Sequence, residues 1–103
     1  MAVFTGKRYM TDGIRNDIPL ECQIIMWNMI DEDRHMNNEL DCLQVFELKP
    51  LYENGVSAQV ITKKQEQPER QVKRQFSFDN PVSAKIFVID DISHITMLLN
   101  HEY

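Results

Sequence analysis

Ile18-Pro19-Leu20-Glu21-Cys22-Gln23-Ile24-Ile25-Met26-Trp27-Asn28-Met29-Ile30-Asp31 is the stretch on which the reading of the fold turns. Pro19 suits a first helical turn, where its missing N–H has no partner to lose and its fixed φ is already helical. Asn16 and Asp17 stand upstream as candidate caps, and Glu21 sets a negative charge near the positive end of the helix dipole. At 100° per residue, Cys22, Ile25, Met26, Met29 and Ile30 share one wide face with Trp27 at its edge. Glu21, Asn28 and Asp31 fall opposite, with Ile24 among them. An apolar arc this wide predicts a helix packed over most of its circumference. Burying five or six such side chains contributes roughly 10 kcal/mol gross, at about 1.5–3 kcal/mol each, and chain entropy offsets most of it.

Around this helix the chain reads as extended segments. Before it, Lys7 to Thr11 is a short strand and Asp12-Gly13 a turn, with Ile14 to Asp17 leading into the helix. After it, Asp31 to Asp41 reads as helix end and polar loop. Cys42 to Lys49 is then a strand with apolar residues on both faces, which Pro50 is expected to stop. Asn54-Gly55 between apolar runs is a strong hairpin signal, since both residues tolerate φ > 0. Val56 to Thr62 alternates, Lys63 to Arg70 is polar, and Gln71 to Phe78 alternates again with Val72, Phe76 and Phe78 inward, although Arg74 interrupts that side. This predicts a second hairpin with a basic tip and a basic outer surface. Ala84 to Ile89 is the strongest strand, Asp90 to Ser93 a tight turn, and His94 to Leu99 the last strand. One helix followed by strands on short turns gives an α+β fold: one main amphipathic helix packed on a mostly antiparallel five- to six-stranded sheet. A single helix leaves the far sheet face to be accounted for by curling or by a partner chain.

A chain of 103 residues is expected to form one domain over residues 1–103. No apolar run approaches the roughly 20 residues of a membrane span. The opening Met1 to Arg8 lacks the order of a signal peptide, and Cys22 and Cys42 lack metal-ligand spacing. The expected location is therefore the cytoplasm, with two reduced thiols and no membrane partner. The net charge of −5 is unevenly spread. Asp31, Glu32, Asp33, Glu39, Asp41 and Glu47 face only Arg34 between positions 31 and 47. Lys63, Lys64, Arg70, Lys73 and Arg74 outnumber Glu66 and Glu69 between positions 63 and 74.

Three constellations carry candidate chemistry. Asp90, Asp91 and His94 lie at one turn, and two carboxylates with an imidazole are a candidate metal site or the acid–base pair of a metal-dependent hydrolase. The same residues also make an ordinary turn, with Asp accepting local backbone N–H groups. The basic hairpin residues Lys63, Lys64, Arg70, Lys73 and Arg74 are candidates for contact with a protein partner, a second copy or a nucleic-acid backbone. The acidic total and the few aromatics there count against nucleic acid, and charge on a sheet edge equally serves to block aggregation. Gly6, Gly13 and Gly55 are too sparse for a phosphate-cradling loop, and no Gly-x-Ser-x-Gly elbow occurs.

Taken together, Arg8-Tyr9-Met10-Thr11, Ile18-Pro19-Leu20-Glu21 leading to Trp27, Leu43-Gln44-Val45-Phe46-Glu47-Leu48, Gln65-Glu66-Gln67-Pro68-Glu69, Asn80-Pro81-Val82 and Ala84 to Asp91 resemble a family of small uncharacterised proteins. That family occurs in low-GC Gram-positive bacteria and their phages and is filed as a domain of unknown function. The resemblance spans nearly the whole chain and implies a bacterial cytoplasmic protein, with no activity, cofactor or site attached. The expectation is a small non-catalytic interaction or accessory protein without catalytic residues or cofactor, with a nucleic-acid binder and a metal-dependent hydrolase as alternatives.

Overall fold

The computed structural model describes residues 3–103, so Met1 and Ala2 of the N-terminal stretch lie outside it. Six strands form one sheet: β1 (Lys7–Met10), β2 (Leu43–Glu53), β3 (Val56–Glu66), β4 (Glu69–Ser77), β5 (Ala84–Asp90) and β6 (His94–Leu99). Their spatial order is β1-β6-β5-β2-β3-β4. Every pairing is antiparallel except β1 with β6. Helices α1 (Asp12–Asp17) and α2 (Leu20–His35) connect β1 to β2. The α+β class and the mostly antiparallel sheet follow the sequence reading.

The apolar arc of α2 faces the sheet as its spacing predicts. Cys22, Met26, Met29 and Ile30 are buried against Phe46, Leu48, Ile61, Ile86 and Val88, while Ile24 stays half exposed on the far side. Trp27 sits at the edge of the arc, with the Arg8 guanidinium 4.7 Å over its ring. The helix runs four residues past Asp31 and ends where Asn37 turns to φ 56, a left-handed position that Asn tolerates.

Four local expectations are corrected. Asp12-Gly13 is not a turn but the first turn of α1, whose N-terminus is capped by Thr11 Oγ1 accepting from the Ile14 N–H at 3.3 Å. Asn16 and Asp17 therefore close α1 rather than cap α2, which starts after Pro19 with no side-chain cap. Pro50 does not stop β2. By Leu48 the neighbouring β5 has ended, so β2 is flanked only by β3 and tolerates proline as an edge does. The tip of the second hairpin is not basic, because β3 runs to Glu66 and β4 begins at Glu69, which leaves Glu66-Gln67-Pro68-Glu69 at the turn. The Asn54-Gly55 turn forms as expected, with both residues at positive φ.

Candidate interaction surface

Alternation along the strands sorts the side chains onto two faces. Toward α2 point Gln44, Phe46 and Leu48 of β2, Ile61, Lys63 and Gln65 of β3, and Arg70, Val72, Arg74 and Phe76 of β4. The hairpin cations on this face are committed to the helix. Lys63 Nζ lies against Asp33 Oδ2 and donates to Gln44 Oε1 at 3.1 Å. Arg70 Nη1 donates to Asp33 Oδ1 at 2.6 Å, and Asn38 Nδ2 to the same oxygen at 2.9 Å. Arg74 Nη2 donates to Glu32 Oε2 at 2.6 Å. Asp33 Oδ2 accepts no aligned hydrogen bond and holds the Lys63 ammonium as its ion-pair partner. Burial pushes the Asp33 carboxyl up, but the Lys63 ammonium beside it and the bonds from Asn38 and Arg70 outweigh that and leave the group below its ordinary value.

This arrangement corrects the expected basic outer surface. Of the five candidate residues, Lys63, Arg70 and Arg74 turn inward, Lys64 and Lys73 outward. The acids that the sequence assigns to helix end and loop lie partly on α2 itself, and their pairing with the hairpin closes within one chain. The physical reason is register: Lys63 shares the parity of Ile61, and Arg74 that of Val72 and Phe76. Arg74 interrupts the apolar side because a carboxylate waits for it on the helix.

The opposite face carries no helix. Its register rows run across the strands. Lys85 of β5, Glu47 of β2, Thr62 of β3 and Lys73 of β4 form one row. Leu98, Phe87, Val45, Lys64 and Gln71 form the next, followed by Thr96, Ile89 and Leu43. Lys49 lies in the row beyond Glu47, beside Val60 and Gln75. The centre of this face is thus a lysine band beside an apolar strip. Glu47 is its one central carboxylate. The Lys64 ammonium donates to it at 2.8 Å and, with Lys85 and Lys49 nearby, holds it below the ordinary carboxylate range. Among the described residues, Lys49, Lys73 and Lys85 form no ion pair, whereas Arg8, Arg15, Arg34, Arg70 and Arg74 each do. An open cleft of about 690 Å³ crosses this face, with Leu43, Val45 and Glu47 of β2 in its floor, Lys64 on the β3 side, Lys85 on the β5 side, and Asp41, Glu66, Glu69 and Arg70 at the hairpin end. Tyr103 meets Phe87 edge-on, with ring centroids 5.6 Å apart.

The candidate metal constellation does not converge. Asp90 turns inward and accepts the backbone N–H of Phe4 at 3.0 Å and of Ile92 at 2.9 Å. Asp91 stays outside and accepts from the Ser93 and His94 backbone, with His94 Nε2 3.3 Å from its other oxygen. Those bonds, first from His94 and then Ser93, hold the Asp91 carboxyl below its ordinary value. Among the described residues no three His, Cys, Asp or Glu side chains gather as a metal site. Burial beside Glu21 pushes the Cys22 thiol up to about 11, so it stays protonated; Cys42 is exposed and unpaired.

Sequence reasoning missed Lys49, Glu47, Lys85, Val45 and Phe87 as members of one surface. The available signal was parity within β2 and β5, where Val45, Glu47 and Lys49 alternate with Gln44, Phe46 and Leu48.

Residues 7–102 match the family model described as staphylococcal protein of unknown function (DUF960). Among solved structures, a protein of unknown function from Enterococcus faecalis superposes with a TM-score of 0.78 at 24% identity, covering 100% of this chain and 96% of that one. At that identity the likeness is one of fold. No curated protein matches the chain. No helix among the described residues is long and apolar enough to cross a membrane.

Proposed function

The chain belongs to the DUF960 family of staphylococcal proteins of unknown function, and we propose that it is a non-catalytic cytoplasmic interaction protein whose contact surface is the uncovered face of the sheet. One observation carries this reading. The face opposite α2 sets half-buried Leu43, Val45, Phe87 and Ile89 on the inner strands β2 and β5, beside Lys49 and Lys85, which lie on the same two strands and form no ion pair among the described residues. An antiparallel sheet can leave one face to water, but its solvent side is then polar along each strand. Here β5 and β2 carry apolar residues on that side too, the pattern of a surface with a covering layer. The two reduced thiols support the cytoplasmic assignment.

The expected alternatives have less to rest on. A groove-binding basic hairpin requires Lys63, Arg70 and Arg74 outward, and they point to the helix. A hydrolase requires Asp90 free, and it holds two backbone donors.

Site-specific photo-crosslinking in cells tests the proposal. A photoreactive residue at position 87 is expected to give discrete adducts, and the same residue at Ile24, on the exposed side of α2, to give none. Adducts at Ile24 alone, or at neither position, overturn it.

A further inference from the structure

The sheet ends on one side at β4, and the register fixes what that edge offers. Phe78 donates its N–H to the Ser57 carbonyl at 3.2 Å, one step beyond the Ala58–Ser77 pair. Hydrogen-bonded and non-hydrogen-bonded pairs alternate along an antiparallel ladder. Arg70, Val72, Arg74 and Phe76 therefore turn their backbone groups toward β3. Gln71, Lys73, Gln75 and Ser77 turn theirs away from the sheet, where no further strand lies among the described residues. The Lys73 carbonyl accepts from the Arg74 guanidinium at 3.2 Å and keeps its second lone pair. A short edge strand is one way proteins discourage strand addition. The opposite edge, β1, is four residues long, but β4 runs for nine.

Beside this edge, on the α2 side, lies a groove of about 240 Å³ lined by Ile25, Asn28, Met29, Glu32, Arg74 and Phe76. Val72 and Phe76 pack against the core from the edge strand and stay half exposed. From the edge and the groove together we infer that β4 receives an extended segment of a partner protein as a seventh strand, antiparallel to it, held by main-chain bonds to Gln71, Lys73 and Gln75 and by apolar side chains over Val72 and Phe76. The backbone selects the occupant, because a row of outward N–H and C=O groups at strand spacing is satisfied by an extended chain. Residues of that segment opposite Gln71, Lys73 and Gln75 exchange hydrogen bonds with them, and those opposite Val72, Arg74 and Phe76 place their side chains on the α2 side. The segment therefore carries two apolar residues four apart, with a small polar residue between them beside the Arg74–Glu32 pair. A second copy fits this edge poorly: β4 aligned over its full length with its own antiparallel copy sets Lys73 against Lys73 and Val72 against Arg74. The site is separate from the Val45–Phe87 strip, and neither depends on the other.

Amide exchange and peptide titration of the full chain, both followed by NMR, test this. In the free chain the N–H groups of Lys73 and Gln75 are expected to exchange at least tenfold faster than those of Val72, Arg74 and Phe76. The probe is the end-capped peptide Thr-Leu-Thr-Ser-Thr-Val-Thr at millimolar concentration, whose Leu falls over Phe76 and whose Val falls over Val72. It is expected to slow exchange at Lys73 and Gln75 at least threefold and to leave Val45 and Phe87 unchanged. Methylating the backbone nitrogens of its third and fifth residues, which face β4, is expected to weaken binding at least tenfold. Methylating that of its fourth residue, which faces solvent, is expected to leave binding intact. The Lys73→Pro variant removes an N–H that no strand of the free chain uses, and is expected to keep its far-UV spectrum and lose at least tenfold in peptide affinity. Should that variant lose its fold, the two methylated peptides decide the point on the unaltered chain. Failure of the parent peptide to bind overturns the inference, and so does equal binding of the peptide methylated at its third and fifth residues or by a folded Lys73→Pro chain. Protection of Lys73 and Gln75 in a free chain that sediments as a dimer assigns the edge to a second copy and overturns it as well.

Discussion

Lys63 Nζ lies 2.5 Å from Asp33 Oδ2 with 1% and 6% of the two side chains exposed, so the last turns of α2 are tied to the middle of β3 by a fully buried ion pair. The neighbouring Lys64 points the other way and pairs with Glu47 on the open face. One step along a strand separates a lysine that serves the fold from a lysine that serves the surface.

Asp33→Asn removes the charge that Lys63 and Arg70 share. Leaving an ammonium buried without its counter-ion costs about 3–5 kcal/mol, and urea denaturation at pH 7 is expected to register a loss in that range. The Asp33 carboxyl lies below its ordinary value in the folded chain. Its contribution is therefore complete above the unfolded-state value of about 3.9 and is lost as pH falls through the lower folded value. The wild-type chain is expected to lose stability more steeply below about pH 4 than Asp33→Asn does. Parallel acid limbs in the two proteins would contradict this.

Asp90 accepts two backbone N–H groups that no other residue serves. Asp90→Ala is expected to destabilise the chain by about 1.5–3 kcal/mol per charged hydrogen bond lost, moderated by whatever water replaces it. Asp91→Ala removes only exposed turn contacts and is expected to have a much smaller effect. Added zinc or manganese is expected to leave the melting temperature of the wild-type chain unchanged, because nothing gathers a ligand set around these residues. A metal-dependent rise that Asp91→Ala abolishes would reverse that assignment.

Ile92 holds φ 82 while 95% of its surface is exposed, in the turn between β5 and β6. A β-branched residue in the left-handed region is strained by about 1–2 kcal/mol, and glycine is not. Ile92→Gly is expected to raise stability by up to about 1 kcal/mol, the gain being reduced by the greater freedom of glycine in the unfolded chain. A clear loss in thermal denaturation would show that the Ile92 side chain makes contacts that its exposure denies.

The sequence-derived reading succeeded where period and turn chemistry speak alone: the α2 arc, the Asn54-Gly55 hairpin, the strand from Ala84 to Ile89. It failed where a polar residue is buried by a distant partner. Lys63 and Gln65 read only as part of a polar run because nothing near them in sequence satisfies them; Asp33, Gln44 and the carbonyls of Glu39 and Pro68 do so only once the fold exists. Pro50 misled because its effect depends on which neighbour strand has already ended. The interaction surface was invisible for a related reason. Its lysines lie far apart in sequence, on β2, β3, β4 and β5, and only the register of the sheet assembles them.

Equilibrium denaturation of Lys63→Met and Lys64→Met, measured side by side, tests the division between the two faces most directly. Lys63→Met leaves Asp33 buried with Arg70 and Asn38 alone and is expected to lose about 3 kcal/mol. Lys64→Met removes a part-exposed pair and is expected to stay within about 0.5 kcal/mol of wild type. Equal losses, or a larger loss at Lys64, would contradict the assignment of one lysine to the interior and the other to the contact surface.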